Sequence, residues 1–294
     1  MMLGGNPRLF ESTLAEVQTS IDRAVELEPD NVCFAYYAGL LGAMQSFVAM
    51  NLGEPSTREK LSRACDAFAT AVRLEPDYHE AKLYLVELYG VYPPEAGGDL
   101  TRAEEYMTEL AKADEIYGLK ARSILEDVGI TEWQLLREKH PGNTDVLEEL
   151  GKAYLRAGDE AAAVQCFEEA VALDPNEASL YLDLGRHHFG LVMEIMRMRN
   201  EEQNEELQAH LAAAEAAYLK FLDEDPPTPM KAYALRMLSN VMQGAGDEER
   251  RNRYKEQAKK LDPHHSRATA RPGPALFTPP GEIVHEHVYL TRPY

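Results

Sequence analysis

Apolar and small residues recur along this chain at helical spacing, and the runs end on one kind of phrase. AVELEPD at 24–30, AVRLEPD at 71–77 and AVALDPN at 170–176 are close copies of it. FLDEDPP at 221–227 and AKKLDPH at 258–264 are weaker copies, and LLREKHPGN contributes Pro141 as a further candidate. The alanine and aliphatic positions mark a packed helix face. The proline then stops the helix, because it has no N–H and disfavours helical geometry in the residue before it. Asp or Asn after the proline is suited to start the next helix. Helix ends are therefore predicted ahead of Pro29, Pro76, Pro141, Pro175, Pro226 and Pro263.

The intervals between these prolines carry a period. Pro141 to Pro175 is 34 residues, and Pro226 to Pro263 is 37. Pro29 to Pro76 is 47 and Pro175 to Pro226 is 51, one such unit plus an insertion in each case. Pro76 to Pro141 is 65, room for two units with a degenerate junction near Asp114. The insertions predict two lengthened first helices, at about 32–51 and 178–200. YPPEAGGD at 92–99 predicts a loop before a helix starting near Leu100.

Residues 144–177 resemble the tetratricopeptide repeat family, whose period is about 34 residues. Leu147, Leu150, Gly151 and Tyr154 fall at its first-helix positions, and Ala163, Phe167, Ala170 and Pro175 at its second-helix positions. Gly39, Ala64, Phe68, Ala71 and Pro76 fit another unit, and Leu184, Gly185, Ala214, Tyr218 and Pro226 a third. Leu235, Leu238, Ala258, Leu261 and Pro263 fit the last; Ala103, Met107, Trp133 and Leu136 mark incomplete ones. The Pro-Pro and Gly-Gly loop looks like one in uncharacterised bacterial members. The resemblance implies an all-α, right-handed α-solenoid of helix-turn-helix repeats over residues 1–265, about six to seven helix pairs.

Charge and composition narrow the function. Fifty acidic residues against 30 basic give a net charge of −20, which opposes nucleic acid and anionic membrane surfaces. Cys33, Cys65 and Cys166 are an odd, scattered set without CxxC spacing, so a disulfide framework or zinc ribbon is not indicated. Residues 31–53 carry no charge and are long enough to span a bilayer, but their flanks are Asp30 and Glu54 rather than Lys or Arg. A sandwiched core helix is the preferred reading of that segment. The start, MMLGGNPRLFEST, lacks the pattern of a signal peptide, and a cytoplasmic location is the expectation. No catalytic motif is present, so an enzyme is not expected, and no cofactor is implied.

Three smaller features carry candidate chemistry. His187 and His188 are adjacent on a helix and should point apart, which argues against a shared metal. His285 and His287 would share one face of a strand, a conceivable two-ligand clip in the tail. Met193, Met196 and Met198 are expected as packing filler, and Cys65 and Cys166 as small core residues.

The resemblance implies that the first helices line a concave surface that receives partners. Its groove positions map here onto Lys152, Leu155, Arg186, Phe189, Tyr233, Arg236 and Asn240. Lys152, Arg186 and Asn240 occupy one position in successive units, a short basic and polar row suited to a carboxylate or an acidic peptide. The competing reading pairs each cation with a local acid.

From Ser266 the composition changes. Residues 266–294 hold five of the 17 prolines and carry a net charge of +1. An extended Pro-rich tail follows, with Phe277, Val284, Val288, Tyr289, Leu290 and Tyr294 available to dock on the solenoid or on a second copy. The expected function is a non-enzymatic scaffold or adaptor for a protein partner. The alternatives are an accessory component of an envelope transport system with an apolar cavity, and a metal protein using the tail histidines.

Overall fold

A computed structural model of the chain describes residues 7–126, 128–198 and 204–262. The tail, with Phe277, Val284, Val288, Tyr289, Leu290 and Tyr294, lies outside the described residues, as do its histidines. So does the expected boundary at residue 265. Thirteen α-helices and no strand occur among the described residues. They fall into two compact units that part between Val128 and Gly129.

The first unit contains α1 (Pro7–Leu27), α2 (Val32–Leu52), α3 (Thr57–Leu74), α4 (His79–Val91), α5 (Leu100–Ala113) and α6 (Glu115–Leu125). The second contains α7 (Ile130–Lys139), α8 (Thr144–Arg156), α9 (Glu160–Leu173), α10 (Ser179–Met198), α11 (Asn204–Asp223), α12 (Thr228–Ala245) and α13 (Glu248–Leu261). Helices adjacent in sequence pack as pairs: α2 with α3, α8 with α9, α10 with α11 and α12 with α13.

The proline phrases do end helices. Leu27, Leu74, Lys139 and Leu173 close α1, α3, α7 and α9, each two residues ahead of its proline; Asp223 closes α11 three ahead of Pro226. Where a side chain caps the next α-helix, however, it is not that of the residue directly after the proline. Asn31, two residues past Pro29, accepts from the N–H groups of Cys33 and Phe34. Asn143, two past Pro141, accepts from Val146 at 3.0 Å. Replacing Asn143 by Ala is expected to cost about 1 kcal/mol, the usual price of a lost N-cap, measurable by urea unfolding.

Three of these pairs, α2–α3, α8–α9 and α10–α11, are keyed by a glycine under an aromatic ring. A Cβ placed on Gly151 of α8 would lie 2.3 Å from the Phe167 ring of α9. The same contact is 2.7 Å for Gly39 and Phe68 and 2.6 Å for Gly185 and Tyr218. All three rings are fully buried. Phe167 thus fills space within its own pair as well as beside Leu180 and Leu184 of the next helix.

Both lengthened helices are present, as α2 and α10. By length and composition α2 could cross a membrane. In the fold it packs on α3, with Gly42 so close to Ala64 that a Cβ would sit 3.0 Å from its backbone. Its Ser46 is hydrogen-bonded to the Tyr92 hydroxyl at 2.9 Å. In the 92–99 loop, Pro94–Ala96 makes a 3-10 turn and Gly97 takes the left-handed backbone at φ +107°. Asp99 then caps α5, its carboxylate accepting from the Arg102 N–H.

Candidate functional site

The residues of the expected row all lie in the second unit, on α8, α10 and α12, and they differ in what they offer. Lys152 is buried, with 1% of its side chain exposed, and its ammonium donates to Glu148 and Glu149 one turn back on the same helix. Leu155 is buried beside Leu147, Phe167 and Leu184. Both are core residues of the α8–α9 pair. Arg186 of α10 is half-buried and ion-paired with Asp183 on its own helix. Phe189 is half-buried, packed on the cluster that contains Tyr218 and Leu238.

On α12, the Arg236 guanidinium lies 5.5 Å from the centre of the Tyr233 ring. Burial pulls the Arg236 pKa below its ordinary value, against the opposing pull of Tyr233 and Asp262; it remains a cation at neutral pH. Asn240 is exposed, one turn beyond Arg236, and makes only a weak contact with the Met237 sulfur at 3.9 Å. The accessible part of the row is therefore Arg186, Phe189, Tyr233, Arg236 and Asn240, on two first helices that touch, α10 and α12.

A second cluster lies in the same unit, and here the sequence expectation is corrected. His187 and His188 do not diverge: both ring edges face one carboxylate. Glu160 Oε1 is 3.4 Å from His187 Nε2 and 3.6 Å from His188 Nδ1. His210 of α11 joins them, its Nδ1 3.9 Å from Glu160 Oε1 and 3.2 Å from His188 Nδ1. Adjacent helical side chains leave the axis about 100° apart. Glu160, at the start of the preceding helix, sits in the angle between them. Burial lowers the pKa of His187 and of His188, outweighing the pull of Glu160, so both imidazoles are neutral at pH 7.

The methionines are also corrected. Met193, Met196 and Met198 are exposed along the last turns of α10 and fill no core space. Cys65 and Cys166 are buried as expected, and burial pushes the Cys65 thiol up to about 11, far from a reactive thiolate.

A family model described as tetratricopeptide repeat matches residues 144–177, the α8–α9 pair with its Gly151–Phe167 key. That key recurs at Gly39–Phe68 and Gly185–Tyr218. The chain carries a tetratricopeptide repeat. Among curated relatives, this repeat protein is 35% identical over 91 residues to "Interferon-induced protein with tetratricopeptide repeats 2" of Cricetulus griseus. That match covers 31% of this chain and 19% of the relative. "Tetratricopeptide repeat protein 37" of Xenopus laevis is 24% identical over 193 residues, covering 62% of this chain and 12% of that one. The chain thus spans less than a fifth of the length of these relatives.

Among solved structures, the human IFIT1 dimer with m7Gppp-AAAA aligns at TM-score 0.44 and 16% identity, over 83% of this chain and 45% of that one. YrrB, a TPR protein with an unusual peptide-binding site, aligns at TM-score 0.31 and 16% identity, over 84% and 95%. Both scores are below 0.5 and establish nothing more specific. None of these matches establishes the bacterial subgroup.

Two residues of this repeat protein escape sequence reasoning, Glu160 and His210. They lie 27 and 23 residues from His187 in opposite directions, outside any motif spacing. Only the packing of α9, α10 and α11 brings them together.

Proposed function

We propose that the protein is a non-catalytic adaptor that holds a partner segment along the first helices α10 and α12. Tetratricopeptide proteins generally mediate protein–protein interactions. What supports a location is the accessible set of two cations, two aromatic rings and one amide on adjacent first helices: Arg186, Arg236, Phe189, Tyr233 and Asn240. Arginine and tyrosine are the residue types that anchor protein interfaces. The two guanidiniums favour a segment with carboxylates on a chain that is otherwise at −20. Lys152 and Leu155, buried in the α8–α9 pair, are not part of this surface. A capped oligoribonucleotide, as in the human IFIT1 structure, is not carried over, since the long-range field opposes polyphosphates.

The test is affinity capture from the native cell with the intact protein and with an Arg236→Glu, Asn240→Ala variant. Loss of the captured partner by the variant, with unchanged circular dichroism, is the expected outcome. Equal capture by both would move binding away from this surface.

A further inference from the structure

The geometry points to a site for one divalent transition-metal ion of the zinc class, held by Glu160, His187, His188 and His210. Its motivation is the spacing of the four donor groups. Zinc binds imidazole nitrogen and carboxylate oxygen at about 2.0–2.2 Å, which puts neighbouring ligand atoms of a tetrahedron about 3.3–3.6 Å apart. The measured edges are 3.2 Å between the Nδ1 atoms of His188 and His210, and 3.4, 3.6 and 3.9 Å from Glu160 Oε1 to the three rings. One donor atom from each of Glu160, His187 and His188 lies within 4.8 Å of the others. Four of the six donor–donor separations are thus close to tetrahedral edges, and His210 joins the Glu160–His187–His188 group through its contacts with His188 and Glu160.

The donor chemistry selects the ion class. Three imidazoles and one carboxylate suit zinc, cobalt and nickel, whereas calcium and magnesium require oxygen ligands. Four protein ligands close the coordination sphere, the pattern of a structural site. The burial gradient provides a route of entry: side-chain exposure falls from 35% at Glu160 to 15% at His210, 9% at His187 and 5% at His188. A bound ion would tie α9, the second helix of one repeat, to both helices of the next. His187 and His188 adjoin Arg186 and Phe189 of the proposed partner surface on α10, but the donor geometry does not depend on a partner.

The experiment uses the full-length protein stripped of metal with a chelator, then titrated with zinc chloride by calorimetry. The same samples are melted with and without zinc, and cobalt(II) uptake is followed by its visible absorption. The expected result is one equivalent of zinc per chain, a raised Tm with zinc, and an intense tetrahedral cobalt spectrum. A His188→Gln, His210→Gln variant should lose all three, while His285→Gln, His287→Gln in the tail should keep them. Should the double histidine variant fail to fold, Glu160→Gln at the exposed end serves in its place. It should weaken zinc binding and alter the cobalt spectrum.

No saturable zinc uptake by the intact protein would overturn the site. So would undiminished uptake by a folded His188→Gln, His210→Gln variant, or loss confined to the tail variant.

Discussion

Lys152→Met is expected to destabilise the second unit by about 3–5 kcal/mol, the range for removing one partner of a buried ion pair. The ammonium is 1% exposed and donates to Glu148 and to Glu149, whose carboxylates are themselves almost wholly buried. Methionine matches the volume and leaves two facing anions without the cation between them. A Lys152→Met, Glu149→Gln double variant should recover part of the loss, because it removes one of those anions; the cycle gives the coupling energy. Urea unfolding followed by circular dichroism measures both. A shift under about 1 kcal/mol would place the cluster among solvated pairs instead. The result also governs binding experiments. A charge reversal at Lys152 would damage the fold, so loss of a partner there would say nothing about contact.

The second large effect belongs to Gly98→Ala in the first unit. A Cβ on Gly98 would lie 1.7 Å from the Tyr92 carbonyl oxygen and 2.6 Å from its carbon. The obstacle is backbone at the C-cap of α4, which cannot rotate aside as a side chain can. The neighbouring Asp99 N–H donates to the Tyr89 carbonyl at 2.9 Å, so the loop is pinned on both sides of Gly98. The expected cost is about 3 kcal/mol, the upper part of the overpacking range. Hydrogen exchange should report it as lost protection in α4 and α5. Gly190→Ala is the contrast. Nothing lies within 4 Å of its Cβ position inside α10, and the change should be neutral or stabilising by up to about 1 kcal/mol.

The architecture was legible because its determinants are local. A proline that stops a helix acts on its immediate neighbours, so Leu27, Leu74 and Leu173 could be placed as helix ends from the sequence. The glycines and aromatics that key the pairs stand at consensus positions of the repeat, and the insertions that lengthen α2 and α10 show as excess over the period. Function-bearing detail was less legible, because it depends on depth and on contacts across helices. Lys152 and Arg236 occupy equivalent surfaces in a repeat alignment. Yet Lys152 is sealed between two glutamates and Arg236 lies on an aromatic ring. Periodicity assigns a face and cannot assign how far the neighbours close over it. The Glu160 cluster fails the sequence test for a related reason. Its members come from three helices, and no one-dimensional spacing encodes their meeting.

The glycine-to-ring keys join helices that follow one another directly in the chain. Their formation closes loops of 16 residues at Gly151–Phe167, 29 at Gly39–Phe68 and 33 at Gly185–Tyr218. The entropy of loop closure grows only with the logarithm of length, so each key is reached early in a conformational search. Low contact order of this kind belongs to chains that fold in microseconds to milliseconds. A nascent chain can therefore set the α2–α3 key as soon as Phe68 clears the ribosome, before most of the protein has been synthesised.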